Sequence, residues 1–358
     1  MQPDIRYARS GSYSIAYTVF GEGPLDLVID SGFVSSIEAV WQEPSLARFL
    51  RKLATFSRVI MCDRRGRGLS DSLPLDEAPS LEERVDDLEA VMEAAGSRRA
   101  AVFAWSEGGP TALALAARRP SAVLALILFS TCARAPLAPT YPTGLTREYA
   151  EALADEWRRH WGTGVGLELL APSLANDKPM REWWATCQRL TAGPGTIVTS
   201  LRMMLDFDIT DILPRIRTPT LVMHAQDDLV IPLAAGQDMA ARLPSAQLVA
   251  LPGADHIYWL GDQNARMEAI KSFLADLPAG PPIKLLRRRG VGRFGWESLT
   301  PAELDVAALV GEGLTNREIA RRLYVSPRTV QTHIKHALAK LGATRRSEIA
   351  AEAARRAA

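Results

Sequence analysis

Six short apolar runs, separated by stretches with helical spacing, are the feature that most constrains the fold. They are almost continuously hydrophobic, as strands buried on both faces are. The runs cover residues 25–29, 58–62, 100–104, 123–129, 219–224 and 246–251. Continuous apolar strands that alternate with helices predict an α/β fold, in which a parallel sheet is covered by helices on both faces. Residues 5–8 and 13–20 alternate apolar and polar side chains and predict a leading hairpin.

The strand pattern is interrupted between residues 132 and 214. Helical spacing there covers residues 148–161, 180–190 and 195–207, which predicts a helical cap inserted into the sheet domain. Two interpretations of its large apolar side chains stay open, a pocket for an apolar ligand and plain packing on the sheet. These side chains are Trp157, Trp161, Trp183, Trp184, Met203 and Met204.

Composition excludes several classes of protein. No apolar run among the 358 residues is long enough to span a membrane, and the first residues carry no signal segment. Cys62, Cys132 and Cys187 are far apart and have no metal-binding or redox spacing. Reduced core thiols in the cytoplasm, with no cofactor or metal, are therefore expected.

Charge is unevenly distributed along the chain. Residues 281–358 contain 15 Lys and Arg against 7 Asp and Glu, whereas residues 1–280 contain 27 against 34. A basic tail on an acidic body indicates contact with a polyanion, although a solvated basic surface would give the same count.

Ser106 lies where an apolar run, 100–104, passes through a turn into a helix-forming run, 111–118. Such a strand-turn-helix places a serine in a strained conformation that needs small neighbours, which here are Ala104 and Gly108. A glycine-rich turn with a chance serine is the alternative, and the remaining catalytic groups must decide between the two.

Those groups follow in a suitable order. A serine hydroxyl needs an imidazole to take its proton and a carboxylate to orient that imidazole. Asp228, with Asp227 as an alternative, follows a late strand, and His256 follows the last strand. The backbone amides of Phe33 and Glu107 are the predicted donors of the oxyanion hole.

Residues 1–277 resemble an α/β-hydrolase domain. The resemblance is carried by 31–35 (SGFVS), 63–70 (DRRGRGLS), 106–109 (SEGG) and 255–259 (DHIYW). It implies a Ser106–Asp228–His256 triad in a subset whose hydrolase domain is often fused to a signalling output. Two departures are Ala104, where the elbow usually has glycine, and Ser31, where many members have histidine.

A Pro/Gly/Arg-rich linker, 278–295, leads to a predicted all-α domain of four helices at 296–358. Thr300 and Thr315 are predicted N-caps, and Gly342 is the predicted end of the third helix. The short second helix, a tight turn and the third helix predict a helix-turn-helix.

This domain resembles the LuxR-type (GerE) DNA-binding domain in 299–303 (LTPAE), 313–320 (GLTNREIA) and 326–334 (SPRTVQTHI). The resemblance implies base contacts from Gln331, Thr332 and Lys335, with Gln331 standing where most members have lysine. It also implies a homodimer that reads an inverted repeat in double-stranded DNA. The full predicted DNA-binding set is Thr315, Ser326, Arg328, Thr329, Gln331, Thr332, Lys335, His336 and Arg345.

The sequence therefore predicts a cytoplasmic transcription regulator whose hydrolase-like domain senses a small apolar ester, lactone or acyl compound. RNA polymerase is a candidate partner. The rival interpretations are a serine esterase with a secondary DNA-binding tail and a sensor that slow hydrolysis resets. A helical protein-binding module is the alternative for the tail.

Overall fold

An eight-stranded sheet forms the centre of the first of two units in the computed structural model. The structure describes residues 3–34, 36–277, 296, 299, 301–323, 325–341, 343 and 345–357. The two units are Met1–Leu277 and Pro278–Ala358. The linker at 278–295, the predicted cap Thr300 and the predicted helix end Gly342 lie outside the described residues.

The strands follow the predicted apolar runs closely. They are β1 (Ile5–Ser10), β2 (Tyr13–Phe20), β3 (Leu25–Asp30), β4 (Ser57–Cys62), β5 (Ala100–Trp105), β6 (Val123–Phe129), β7 (Thr220–Ala225) and β8 (Ala246–Leu251). Their spatial order is β1-β2-β4-β3-β5-β6-β7-β8. The first hairpin and the β2–β4 pair are antiparallel, and all other pairs are parallel. Parallel pairing brings the carboxyl ends of β3 to β8 to one edge, where the loops carry the candidate residues.

The core lies on both faces of the sheet. All six residues of β5 are buried. Ala101, Phe103 and Trp105 belong to one hydrophobic cluster and Ala100, Val102 and Ala104 to the other. Helices therefore cover both faces, as continuously apolar strands require. These helices are α1 (Pro44–Ala54), α2 (Leu81–Ala94), α3 (Gly108–Arg118), α8 (Leu233–Arg242) and α9 (Gln263–Ala275).

Local signals set several helix starts. Ser80 and Glu83 form a reciprocal capping box at α2. Helix α3 begins at Gly108, three residues before the predicted start, because the turn at Ser106 leads directly into it. Helix α8 was not singled out from its sequence. A Cβ at its Gly236 would lie 2.5 Å from His224 Nδ1, so the glycine permits close packing of α8 on β7.

The insertion between β6 and β7 is the predicted helical cap. It contains α4 (Arg147–His160), α5 (Leu167–Leu170), α6 (Lys178–Thr191) and α7 (Pro194–Met204). Between β6 and β7, the structure records isolated bridges and no named strand. The predicted α/β-hydrolase architecture with an inserted cap is therefore confirmed.

Four helices are seen in the described residues of the second unit, as predicted. They are α10 (Pro301–Gly311), α11 (Asn316–Arg322), α12 (Pro327–Leu341) and α13 (Arg346–Ala357). Val306, Ile319, Val330, Ile334 and Ile349 contribute to a common core. In the described parts of both units, no helix has the length and hydropathy that crossing a membrane requires.

Candidate functional site

Ser106 occupies a strained turn between β5 and α3. Its φ is +54°, in the left-handed region that few residues other than glycine adopt. A Cβ at Gly108 would lie 2.4 Å from the carbonyl oxygen of Asp30, and one at Gly32 would lie 3.2 Å from the Cβ of Ser106. Both positions therefore require close backbone approach. Ala104 is fully buried, so the elbow accommodates its methyl group.

The loops after β7 and β8 bring the candidate acid and base together. His256 Nδ1 lies 2.9 Å from Asp228 Oδ2 and 3.2 Å from Oδ1. Asp228 is buried, whereas Asp227 is exposed. The amides of Val230 and Ile231 donate to Asp228 Oδ1 at 2.9 and 3.1 Å. The structure thus pairs His256 with Asp228, the first of the two predicted alternatives.

Electrostatics keeps this carboxylate ionised. Burial alone would raise the pKa of Asp228. Its attraction to His256 and the hydrogen bonds from His256 and Ile231 outweigh burial and lower the pKa below the ordinary value. An ionised Asp228 holds the Nδ1–H tautomer, which leaves Nε2 free to act as a base.

Nε2 of His256 is the atom that would take the serine proton. It is buried and has no hydrogen-bond partner among the described residues, so the structure contains no Ser106–His256 hydrogen bond. The backbone at His256 is also restrained, because Trp105 Nε1 donates to the His256 carbonyl oxygen at 2.9 Å. Catalytic hydrogen bonds of a free enzyme are often long and tighten when substrate binds.

The predicted oxyanion residues Phe33 and Glu107 share a partner, Arg67, that the sequence does not predict. Glu107 is the N-cap residue of α3, and its side chain is completely buried. Three arginines surround its carboxylate, with nitrogen–oxygen distances of 3.1 Å for Arg64, 3.3 Å for Arg67 and 2.6 Å for Arg84. The DRRGRGLS segment carries the family resemblance, but the resemblance assigns no role to its arginines. One signal in the sequence could have indicated the cluster. Glu107 is an acidic residue next to Ser106, at a position that must be buried, and a buried carboxylate needs cationic partners.

This arginine cluster shifts the pKa values of its members. Burial would raise the pKa of Glu107, but Arg67, Arg84 and Arg64 together hold it well below its usual range. Burial and the neighbouring arginines lower the pKa of Arg67 to about 10, with Glu107 acting in the opposite direction. Both groups therefore stay charged at neutral pH.

The cap is attached to the loop that carries His256. The His256 amide donates to the carbonyl oxygen of Leu170 at 3.0 Å. Ser173 donates to the Asp255 carboxylate through its amide at 3.1 Å and its hydroxyl at 2.6 Å. The short segment around α5 therefore closes over the candidate base.

The contacts of the cap tryptophans agree with the packing interpretation, and the ligand pocket stays a prediction. Trp184 is almost fully buried and serves packing. Trp183 donates to the Ala39 carbonyl oxygen at 3.0 Å and joins the cap to the sheet domain. Trp157 packs edge-on against the ring of Phe33, with 5.2 Å between centroids. Trp157 therefore contacts a predicted oxyanion residue.

In the second unit, α12 has one apolar and one polar face. Val330, Ile334 and Ala337 are buried. The predicted contacts Gln331, Thr332, Lys335 and His336 are exposed, and so is Arg345 before α13. The side chain of Arg328 lies outside the described residues.

Three of the predicted DNA-binding residues make capping contacts. Thr315 forms a capping box with Glu318 at the start of α11. Ser326 accepts from the amide of Thr329 at 3.0 Å, and their hydroxyl groups are 2.8 Å apart. These side chains therefore order the starts of α11 and α12. His336 lies 3.8 Å from Glu303, a buried residue of α10.

Comparison with known families agrees with this geometry. The family model described as alpha/beta hydrolase fold matches residues 27–261, well over half of the chain. The chain therefore belongs to the alpha/beta hydrolase fold family. Residues 297–353 match the model described as bacterial regulatory proteins, luxR family. An α/β-hydrolase domain is thus followed by a LuxR-type helix-turn-helix domain, as the motifs predicted.

Individual relatives match one or the other part. A helix-turn-helix-type transcriptional regulator of Mycobacterium bovis is 63% identical over 62 residues, 17% of this chain and only 7% of that regulator. A pimeloyl-acyl-carrier-protein methyl ester esterase of Chromobacterium violaceum is 28% identical over 234 residues, 64% of this chain and 88% of the esterase. A thermophilic esterase from Thermogutta terrifontis superposes with a TM-score of 0.62 at 26% identity, covering 76% of this chain and 99% of the esterase.

Proposed function

We propose that this protein is a cytoplasmic transcription regulator that binds promoter DNA through its LuxR-type domain. The observation that carries this proposal is the exposed polar face of α12, within a domain that matches the luxR family model. Gln331, Thr332 and Lys335 offer amide, hydroxyl and ammonium groups, which suit base edges and phosphates in the major groove. A homodimer would present two such helices to an inverted repeat.

The proposed signal is a small apolar ester, lactone or acyl compound that binds beneath the cap. Trp157 and Phe33, whose rings pack together, would supply apolar surface, and the Asp228–His256 pair would supply a base. The 28% identical relative is named as a methyl ester esterase, which supports an acyl compound. Ligands of this kind match a concave site with apolar walls and few polar groups.

Ligand binding would have to favour one arrangement of the protein to change DNA binding. A ligand shifts an equilibrium only by the difference between its affinities for the two states. The contacts of Leu170 and Ser173 hold the cap on the His256 loop, and their loss on ligand binding would release it. Coupling of the cap to the spacing of two DNA-binding domains is the proposed route of regulation.

A serine esterase is the second candidate function. The 2.9 Å contact between Asp228 and His256 favours it, because this pair is what a serine nucleophile requires. Slow hydrolysis that resets the sensor would combine both functions.

Two measurements on the full chain separate these candidates. Selection of bound sequences from a random DNA pool, for wild type and Ser106→Ala, tests regulation. Turnover of short acyl esters of nitrophenol by the same two proteins tests catalysis. We expect both proteins to select one inverted repeat and only wild type to release nitrophenol. Selection of no sequence by either protein would refute the regulator, and equal turnover by both would refute Ser106 as the nucleophile.

A further inference from the structure

We propose that Arg67 is a positioning residue of the oxyanion hole, because its buried guanidinium contacts both residues whose amides are predicted to form that hole. The inference rests on the proposed hydrolytic site around Ser106. It assigns to the DRRGRGLS loop a role in orienting Phe33 and Glu107.

Three contacts connect Arg67 to these residues. Its Nη1 donates to the carbonyl oxygen of Phe33 at 2.8 Å. The same nitrogen lies 3.3 Å from Glu107 Oε2. The guanidinium carbon lies 4.8 Å from the centroid of the Phe33 ring. One side chain therefore restrains the backbone and ring of Phe33 and the carboxylate of Glu107.

The sheet order explains why this residue can reach both. Strands β4, β3 and β5 are neighbours, and their carboxyl ends lead to Arg67, Phe33 and Glu107 respectively. The two predicted donors thus lie on separate loops. The distance between them is not fixed by a covalent link between these loops. A donor displaced by about 1 Å can lower a rate by about 100-fold.

Burial makes the link rigid. The Arg67 side chain is 3% exposed, so water scarcely competes for its donors. Glu107 keeps Arg64 and Arg84 as partners when Arg67 is removed. Its charge would therefore stay compensated, and the lost feature would be the connection to Phe33.

Arg65 is a matched control from the same loop. It is also buried and lies 2.6 Å from Asp87 and 3.1 Å from Glu83. Its guanidinium lies 4.4 Å from the ring of Tyr13. Replacing Arg65 removes a comparable ion-paired guanidinium whose described partners do not include Phe33 or Glu107.

The experiment compares Arg67→Met, Arg67→Lys and Arg65→Met in the full chain. The kinetic constants kcat and KM are measured on a nitrophenyl ester, with melting temperature as the measure of folding. The inhibition constant of a trifluoromethyl ketone is measured in parallel. In that adduct Ser106 Oγ bonds to the ketone carbon, its proton passes to His256 Nε2, and the former carbonyl oxygen carries the negative charge.

We expect Arg67→Met to lower kcat by about 10- to 100-fold and to weaken ketone binding by a similar factor. KM should change by less than about 3-fold, because the oxyanion forms only after binding. Arg67→Lys, which keeps the charge, should recover part of the loss. Arg65→Met should keep kcat within about 3-fold of wild type, even if its melting temperature falls as much as that of Arg67→Met.

Equal losses of kcat in Arg67→Met and Arg65→Met would overturn the inference and leave the hydrolytic site intact. A rise in KM with unchanged ketone affinity would also overturn it. If Arg67→Met does not fold, Arg67→Lys decides, and wild-type kinetics in that variant would be the contrary result. A wild-type chain that neither hydrolyses the ester nor binds the ketone would refute the proposed site itself, and this inference with it.

Discussion

Three arginines beside Glu107 are buried in the hydrolase unit, whereas predicted DNA-contacting cations of the LuxR-type unit are exposed. Arg64, Arg67 and Arg84 are each less than 9% exposed and surround the carboxylate of Glu107. Lys335 and Arg345 are exposed to solvent. Buried ion pairs hold atoms at fixed distances and are screened little by salt, whereas exposed cations exchange counter-ions with the solution. The same residue types therefore hold atoms in place in one unit and, under the proposed function, would bind a polyanion in the other.

Replacing the candidate acid, Asp228, should have the largest effect on the activity of the buried site. Asp228→Asn should lower kcat for ester hydrolysis by about 10⁴-fold, because the neutral amide no longer selects the Nδ1–H tautomer of His256. Steady-state kinetics on a nitrophenyl ester measures this loss. Asp227→Asn is the control, since Asp227 is exposed one residue away, and it should stay near wild type. A large loss of kcat in Asp227→Asn alone would identify Asp227 as the acid.

Salt should affect the two units very differently. Neutralising about four phosphates predicts a fall in DNA affinity of about 100-fold between 50 and 200 mM salt. Over the same range kcat/KM for a neutral ester should change by less than about 2-fold, because the charges around the site are buried. Fluorescence anisotropy and ester kinetics on the same preparation measure both quantities. Equal sensitivity of the two would remove the proposed distinction between buried and exposed cations.

Single substitutions in the exposed set should separate base contacts from phosphate contacts. Lys335→Ala should lower the affinity for the selected operator by about 10-fold. It should also lower the ratio between the affinities for operator and for unrelated DNA. Arg345→Ala should weaken binding to all sequences by a similar factor. Competition binding with operator and scrambled duplexes measures this preference. Identical behaviour of the two variants would show that α12 carries no more sequence information than the start of α13.

Two matching capping boxes provide the smallest test. Ser80 with Glu83 caps α2 in the hydrolase unit, and Thr315 with Glu318 caps α11 in the other. Each change to alanine should cost about 1 kcal/mol. Calorimetry should show a shift of about 4–8 °C for Thr315→Ala and about 2 °C for Ser80→Ala, since a smaller unit has a smaller unfolding entropy. Equal shifts would indicate that the two units unfold together.

Much of the fold could be predicted because its signals are local. The apolar runs coincide with the strands to within a residue or two, and Thr315 caps α11 where predicted. The sequence does not predict helix α8, because Gly236 weakens the helical pattern. The glycine is needed there because a side chain would collide with His224 on β7. A short stretch of sequence cannot indicate such a contact, because the two residues belong to different elements.

By itself, the sequence determined the α/β class, the order of Ser106, Asp228 and His256 along the chain, and the helix-turn-helix. Each depends on periodicity, chain order or hydrogen bonds within about four residues. Only the tertiary structure decided that His256 pairs with Asp228 instead of Asp227, and that Glu107 is enclosed by three arginines. Those contacts join residues 23 to 43 positions apart. Their distances follow from the sheet order and from burial, which are set when the whole chain packs.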